Sequence, residues 1–320
     1  MKGRSLRLGL FLLLVLLILL STALGAVSIS LGKLLAGDQL AWKIVLQFRL
    51  ARTLVGAGVG AALAVSGAIL QAITRNPLAD PHITGVSNGA GLVAVLILVV
   101  LPNFPITALP AAALVGGFAA GSGVWLVAWK KSGLHPGRLA LAGVAVGAVL
   151  SAATQGVLLR GATGSNSAYA WLAGGLWGRN WDHLYALIPW LIVGLLVAWA
   201  MGPQLDLLSL GDEVARGAGL AVERVRTALL ALAVVLAASA VAVAGPIGFV
   251  GLVIPHLARM LVGSPFRRLL PVTALMGAAL VVGADVLGRT VVAPLEIPAG
   301  VFTALVGAPY FLHLLRKTAL

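Results

Sequence analysis

The chain predicts an all-α, polytopic membrane protein, and three observations carry that expectation. Apolar runs recur along the whole length, each close to the roughly 20 residues that a helix needs to cross a bilayer. Only 10% of the 320 residues are charged, 60% are hydrophobic and the mean hydropathy is +1.07. A soluble core of this size would carry far more charge and would alternate apolar with polar faces. The apolar/polar alternation of a transmembrane barrel is absent.

Ten spans are expected, at about 8–27, 52–73, 86–102, 107–129, 139–159, 184–202, 227–245, 250–262, 269–288 and 298–315. The first has a rival reading. Met1–Arg7 is basic and Ala23-Leu24-Gly25-Ala26 resembles a cleavage site, as in a removable signal peptide. Its apolar stretch runs on to Val27, long enough to span, which favours a retained helix. The eighth segment is too short for a full crossing and reads as a half-span or re-entrant helix ending at His256 or beyond. Four glycine pairs spaced one turn apart, Gly56/Gly60, Gly85/Gly89, Gly117/Gly121 and Gly143/Gly147, predict a compact bundle with close backbone approach.

Charge placement sets the topology. With the N-terminus inside, ten crossings put fifteen of the 22 basic residues on the cytoplasmic side, Arg75, Lys130, Lys131, Arg216 and Arg226 among them. Lys33, Lys43, Arg49, Arg52, Arg160, Arg179 and Arg289 fall outside. The bias predicts that both termini are cytoplasmic. The net charge of +13 lies at the ends of apolar runs and not along one face, which argues against a nucleic-acid partner.

Several function classes are disfavoured. None of the nine acidic residues lies near the middle of a predicted span, where an ion-coupled transporter or a carboxylate enzyme would need one. There is no cysteine, and His82, His135, His183, His256 and His313 lack metal-ligand spacing. No G-x-x-x-x-G-K-[ST] phosphate loop is present, so a pump built on this chain needs a separate subunit to hydrolyse ATP.

The remaining features point to contacts with partners. Asn76-Pro77-Leu78-Ala79-Asp80-Pro81 breaks two apolar runs, and such a break belongs at a membrane surface or beside a cavity. It is expected at the cytoplasmic mouth of a pathway. Residues 203–226 form the longest cytoplasmic connection; Leu207 to Arg216 reads as one short amphipathic helix, broken by Gly217 and Gly219. It suits a cleft on a partner, the alternative being a helix resting on headgroups. On the outer side, Arg49, Arg52 and Arg289 suit an acidic partner or anionic ligand; snorkelling, or an Asp285–Arg289 helical pair, is the plainer reading. Gly245 to His256 reads as a re-entrant turn and a short helix lining a cavity, and Trp171, Trp177, Trp181 and Trp190 as an interfacial aromatic belt.

Together, Arg49-Leu50-Ala51-Arg52, Ser66-Gly67-Ala68-Ile69-Leu70-Gln71, Asn76 to Pro81, Gly211 to Ala215, Gly245 to His256 and Gly307-Ala308-Pro309-Tyr310 resemble the FecCD-type permeases over essentially the whole chain. Ala51 departs from the pattern, since relatives often carry proline there. The resemblance implies a type II ABC importer permease fold of ten helices in a single domain, in the bacterial inner membrane. It implies a dimer of two permease copies, two cytoplasmic ATP-binding subunits and a periplasmic or lipoprotein substrate-binding protein. The cargo it implies is a ferric siderophore or similar metal chelate, with haem and cobalamin as alternatives; no catalysis by this chain and no cofactor are expected. It places Arg49, Arg52 and Arg289 against glutamates of the binding protein and Asn76 and Leu78 at the cytoplasmic gate. Leu210, Gly211, Asp212, Glu213, Ala215, Arg216, Gly217 and Gly219 then lie in the ATPase-coupling segment.

Overall fold

A computed structural model describes residues 2–25, 31–101, 103–130, 133–134, 136–160 and 164–318. Ala26, Val27, Lys131 and His135, which figured in the expectations above, lie outside the described residues. Every predicted span is a helix. They are α1 (Lys2–Ala23), α2 (Ala51–Thr74), α3 (Val86–Val100), α4 (Leu109–Ala128), α5 (Pro136–Arg160) and α6 (Trp181–Ala200). Two short helices follow, α7 (Gly202–Ser209) and α8 (Asp212–Gly217), and then α9 (Val222–Ala244), α10 (Val250–Val262), α11 (Phe266–Thr290) and α12 (Ala299–Thr318). Among the described residues seven helices are long and apolar enough to cross a membrane, while those at Val86–Val100, Val250–Val262 and Ala299–His313 are shorter.

The core forms around α2, which is buried along nearly its whole length and packs against α6, α9, α10 and α11. Small residues make this possible. A methyl at Gly60 would overlap the Gly277 carbonyl of α11, and one at Gly67 would overlap the Gly251 carbonyl of α10. Backbone therefore meets backbone at both crossings, the geometry that glycine permits in membranes. Elsewhere the spacing expectation holds less simply: Gly89 of α3 approaches Gly116 of α4, not Gly117, and Gly56 faces the Leu176 side chain. A second layer of α3, α4 and α5 packs beside α9, and α1 lies at the periphery on α11.

Four local features differ from the sequence expectations. Helix begins before α2, at Gln39–Lys43, and runs through a π-helical stretch at Ile44–Leu50 that carries Arg49. The stretch from Leu207 to Arg216 is not one helix, because Gly211 takes φ 112° and separates α7 from α8. Trp129–Lys130 and Gly133–Leu134 form a short antiparallel hairpin before α5. Trp171, expected in an interfacial belt, is 6% exposed and belongs to the core.

The glycine contacts yield a contrast. Gly60→Val is expected to cost about 3 kcal/mol or more, because a backbone carbonyl cannot rotate away from the new side chain. Gly156→Ala, in α5 with no atom near the added methyl, is expected to be neutral or stabilising by up to about 1 kcal/mol. Unfolding of the detergent-solubilised chain would check both, and similar costs for the two would contradict this packing.

Candidate functional site

Two polar clusters occupy opposite ends of α2. At the Arg52 end, Arg52 makes a forked hydrogen bond to Asp285, with Nη2 2.7 Å from Oδ1, and its Nη1 lies 2.8 Å from Glu296 Oε2. Arg289, one turn after Asp285, lies 3.6 Å from it and donates to the backbone oxygen and hydroxyl of Ser21. Arg49 donates to the carbonyls of Thr22 and Ala23 at 3.1 and 2.7 Å. The last carbonyls of a helix lack partners within it, so two arginines close the C-terminus of α1 from outside. Arg49 and Arg289 are 6% and 2% exposed. The Asp285–Arg289 pair expected from spacing exists, but the closer partner of Asp285 is Arg52.

These arginines line a cavity of about 310 Å³ together with Trp177, Arg179 and Glu296. Arg179, counted above only among the basic residues that fall outside, was not singled out as a contact residue. No carboxylate lies within ion-pair distance of it among the described residues, and its Nε has no hydrogen-bond partner. Burial, with the charge of Arg52 added, pulls its guanidinium down to about 10. Four guanidiniums gather here and two carboxylates, Asp285 and Glu296, pair with Arg52 and Arg289, so the cavity carries excess positive charge.

At the other end, α2 stops because Arg75 takes the left-handed conformation, φ 50°, and caps the helix by donating to the Ala72 and Gln71 carbonyls. Asn76 is exposed; its Oδ1 accepts from Leu78 N–H at 2.9 Å, which folds Asn76 to Ala79 into a turn with Leu78 half-buried. Asp80 caps the following turn by accepting from His82 N–H.

Gln71 ties this turn to α10. Pro255 inside α10 has no N–H, so the carbonyl of Gly251, four residues earlier, loses its helical donor. Gln71 Nε2 supplies one, reaching the carbonyls of Gly251, Leu252 and Ala79 at 3.3, 3.1 and 3.4 Å. Its Oε1 accepts from Arg259 at 2.6 Å. Around the same helix, Phe249 takes φ 67° and packs on Gly307, and the rings of His256 and Tyr310 meet edge to face at 6.1 Å. Gly245 to Phe249 is non-helical and α10 follows it, matching the turn and short helix read from the sequence; His256, Arg259 and Met260 of α10 line a cavity.

A charge network joins the turn to α8. Asp212, in the first turn of α8, lies 3.6 Å from Arg75 and 2.6 Å from the buried Arg226 of α9. Arg226 also donates to the Leu134 carbonyl, and Glu223 accepts from Leu134 N–H, which fixes the hairpin. Arg216 lies 3.5 Å from Glu223. Burial pushes the Asp212 carboxyl up, but its hydrogen bond to Arg226 and the charges of Arg226, Arg75 and Arg216 outweigh this and hold it below the usual carboxylate range. Leu210 and Val214 are 66% and 53% exposed, and Glu213, Gly217 and Gly219 are exposed with them. Ala215 points inward and is fully buried.

The family model for the FecCD transport family matches residues 13–317. The chain belongs to that family. It is a multi-pass permease subunit of an ABC importer, and the family is one of transport permeases, not enzymes. Over 311 residues it is 44% identical to the Fe(3+)-citrate import system permease protein YfmE of Bacillus subtilis (strain 168), covering 96% of this chain and 93% of that one. It is 42% identical over 302 residues to the Fe(3+) dicitrate transport system permease protein FecD of Escherichia coli (strain K12), covering 93% and 94%. A solved structure described as an inward-facing conformation of a metal-chelate type ABC transporter superposes with a TM-score of 0.89 at 34% identity, covering 98% of this chain and 99% of that one.

Two measurements probe this end. Gln71→Leu is expected to destabilise the chain by about 1–3 kcal/mol, since it leaves the Gly251 carbonyl unpaired. Much of that cost should disappear when Pro255→Ala restores the missing donor; additive effects in the double mutant would refute the assignment. The Asp212 tie, with a folded-state pKa below the unfolded one, is complete above about pH 4 and is lost as pH falls through the depressed value. Hydrogen exchange of residues 212–218 should therefore show constant protection from about pH 7 to 5, with loosening only below about 4. Loosening between about 7 and 5 would contradict it.

Proposed function

We propose that this permease imports a ferric chelate through a ten-helix domain that works as a dimer by alternating access. In this reading both termini lie in the cytoplasm of a bacterial cell, the membrane is the inner one, and the Arg75 end of α2 faces inward. Two separate ATP-binding subunits drive transport, and a periplasmic or lipoprotein binding protein delivers the cargo. The two relatives above carry names that refer to ferric citrate, which favours an iron chelate over haem or cobalamin.

The observation that carries this reading is the contact Arg75–Asp212–Arg226. It joins α8, whose Leu210 flank and Val214 are open to a partner, to the turn holding Asn76 and Leu78. A push on α8 by an ATPase would reach that turn through ion pairs only one residue thick. Asp212, Arg216 and the backbone at Gly211, Gly217 and Gly219 position this surface; Leu210 and Glu213 face the partner; Ala215 anchors the surface from beneath. At the opposite end, the excess positive charge around Arg49, Arg52, Arg179 and Arg289 favours acidic side chains on the binding protein. Since Arg52 already holds Asp285 and Glu296, a docking carboxylate adds to that cluster and does not meet bare arginine.

The test is uptake by vesicles containing the permease, its ATPase and its binding protein. ATP-dependent accumulation of a ferric chelate is expected, with none by the permease alone under a proton or sodium gradient. Asp212→Asn should lower chelate carried per ATP hydrolysed at least threefold while the subunits still assemble. Arg52→Gln should weaken stimulation of the ATPase by the binding protein. Uptake by the permease alone would overturn the reading in favour of a secondary transporter.

A further inference from the structure

A cavity of about 440 Å³ opens where the Asn76 turn, α7 and α10 meet, and Gln71, Arg75, Ser209, His256, Arg259 and Met260 line it. It holds two guanidiniums and an imidazole, and no carboxylate is among its lining residues. Two other arginines of the chain, both largely withdrawn from solvent, are met by acids. Arg52 faces Asp285 and Glu296, and Arg226 faces Asp212 and Glu223. Arg259 is half-buried, yet no Asp or Glu lies within 4.0 Å of it among the described residues, and its partner is the neutral oxygen of Gln71 at 2.6 Å. A guanidinium carries five N–H donors, so Arg259, which lines the cavity, has donors beyond the one that Gln71 takes.

Its orientation is set in advance. Gln71 grips Arg259 with its oxygen while its nitrogen is held by the α10 carbonyls, and a pre-oriented fork matches a carboxylate better than a free one. Arg75 offers a second cation, 43% exposed and held to Asp212 at only 3.6 Å.

We propose that this cavity is a binding site for an anionic, carboxylate-bearing metal chelate on the inner side of the pathway, with Arg259 as its anchor and Arg75 as a second contact. This rests on the importer reading and narrows its cargo to polycarboxylate chelates such as ferric citrate. A neutral chelate gains nothing from the two cations. The open mouth keeps the attraction weak, as release into the cell requires, because water and salt screen the pair.

The chain contains no cysteine, so Met260→Cys introduces a single thiol into the cavity lining. In nanodiscs of phosphatidylcholine, ferric citrate is expected to slow alkylation of that thiol by an uncharged maleimide at least fivefold. Adding Arg259→Gln should abolish the protection, Arg259→Lys should retain part of it, and a neutral ferric hydroxamate should give none. Absence of protection in the parent, equal protection after Arg259→Gln, or equal protection by the neutral chelate overturns the site. Protection by added phosphatidylglycerol that ferric citrate cannot increase also overturns it, assigning the cavity to a lipid headgroup. Uptake by the complete transporter, measured in parallel, separates the two levels. Chelate accumulation without thiol protection refutes this site alone, and no accumulation of any ferric chelate refutes the importer reading.

Discussion

The Arg75 end of α2 depends on one substitution of hydrogen-bond donors: the amide of Gln71 for the backbone N–H that Pro255 lacks. Within a bilayer an unpaired carbonyl costs several kcal/mol, so the proline in α10 is stabilised by a side chain that reaches its orphan. Gln71 can reach because Gly67 and Gly251 bring the backbones of α2 and α10 into contact one turn away. The same amide holds Ala79 in the turn and orients Arg259. Removing the glycine contact, the glutamine or the proline would therefore disturb the other two, which explains why three separate sequence motifs meet at this point.

Helix α2 links the two ends of the molecule. It starts at the arginine cluster, passes two backbone-to-backbone crossings at Gly60 and Gly67, and ends at Arg75 in the left-handed cap. Crossings of this kind contain no side chain that could change rotamer to absorb a shift. Displacement at one end of α2 is thus carried with α10 and α11 as a body, whereas the Asn76 turn and α8 are joined to it by side-chain ion pairs that can lengthen. In such a molecule rearrangement belongs at the edges of the α2 unit, where Asp212 and Glu296 sit.

Hydropathy exposed the helices because lipid-length apolar runs are a property of consecutive residues, and each predicted span is a helix. The break at Asn76–Pro81 was legible for the same reason. What stayed hidden is what depends on tertiary partners. The division between α7 and α8 follows from Gly211 being held at φ 112°, and glycine inside a polar segment does not announce its dihedral. The burial of Trp171 reflects neighbours far away in the chain, Gly91 and Gly245. Arg179 has no local motif at all; only the fold brings it beside Arg52. Arg49 and Arg289 were noticed because they opposed the expected charge bias, but their bonds to the last carbonyls of α1 span 26 to 268 positions in the chain.

Charge bias along a sequence and charge balance in space answer different questions here. An excess of arginine at one side of the spans serves to orient a chain during insertion, and that role needs no counter-ion. Once folded, a buried guanidinium is costly unless a carboxylate or a set of carbonyls faces it. Arg226 and Arg52 satisfy that requirement with acids, while Arg49 and Arg289 use the frayed end of α1. Arg259 has the neutral amide oxygen of Gln71 and, among the described residues, no acid within ion-pair distance. Topology alone would be served equally well by an arginine one residue further along, fully in water. Its placement within a cavity, with its orientation fixed and no acid opposite, is explained by an anion that arrives from outside the chain.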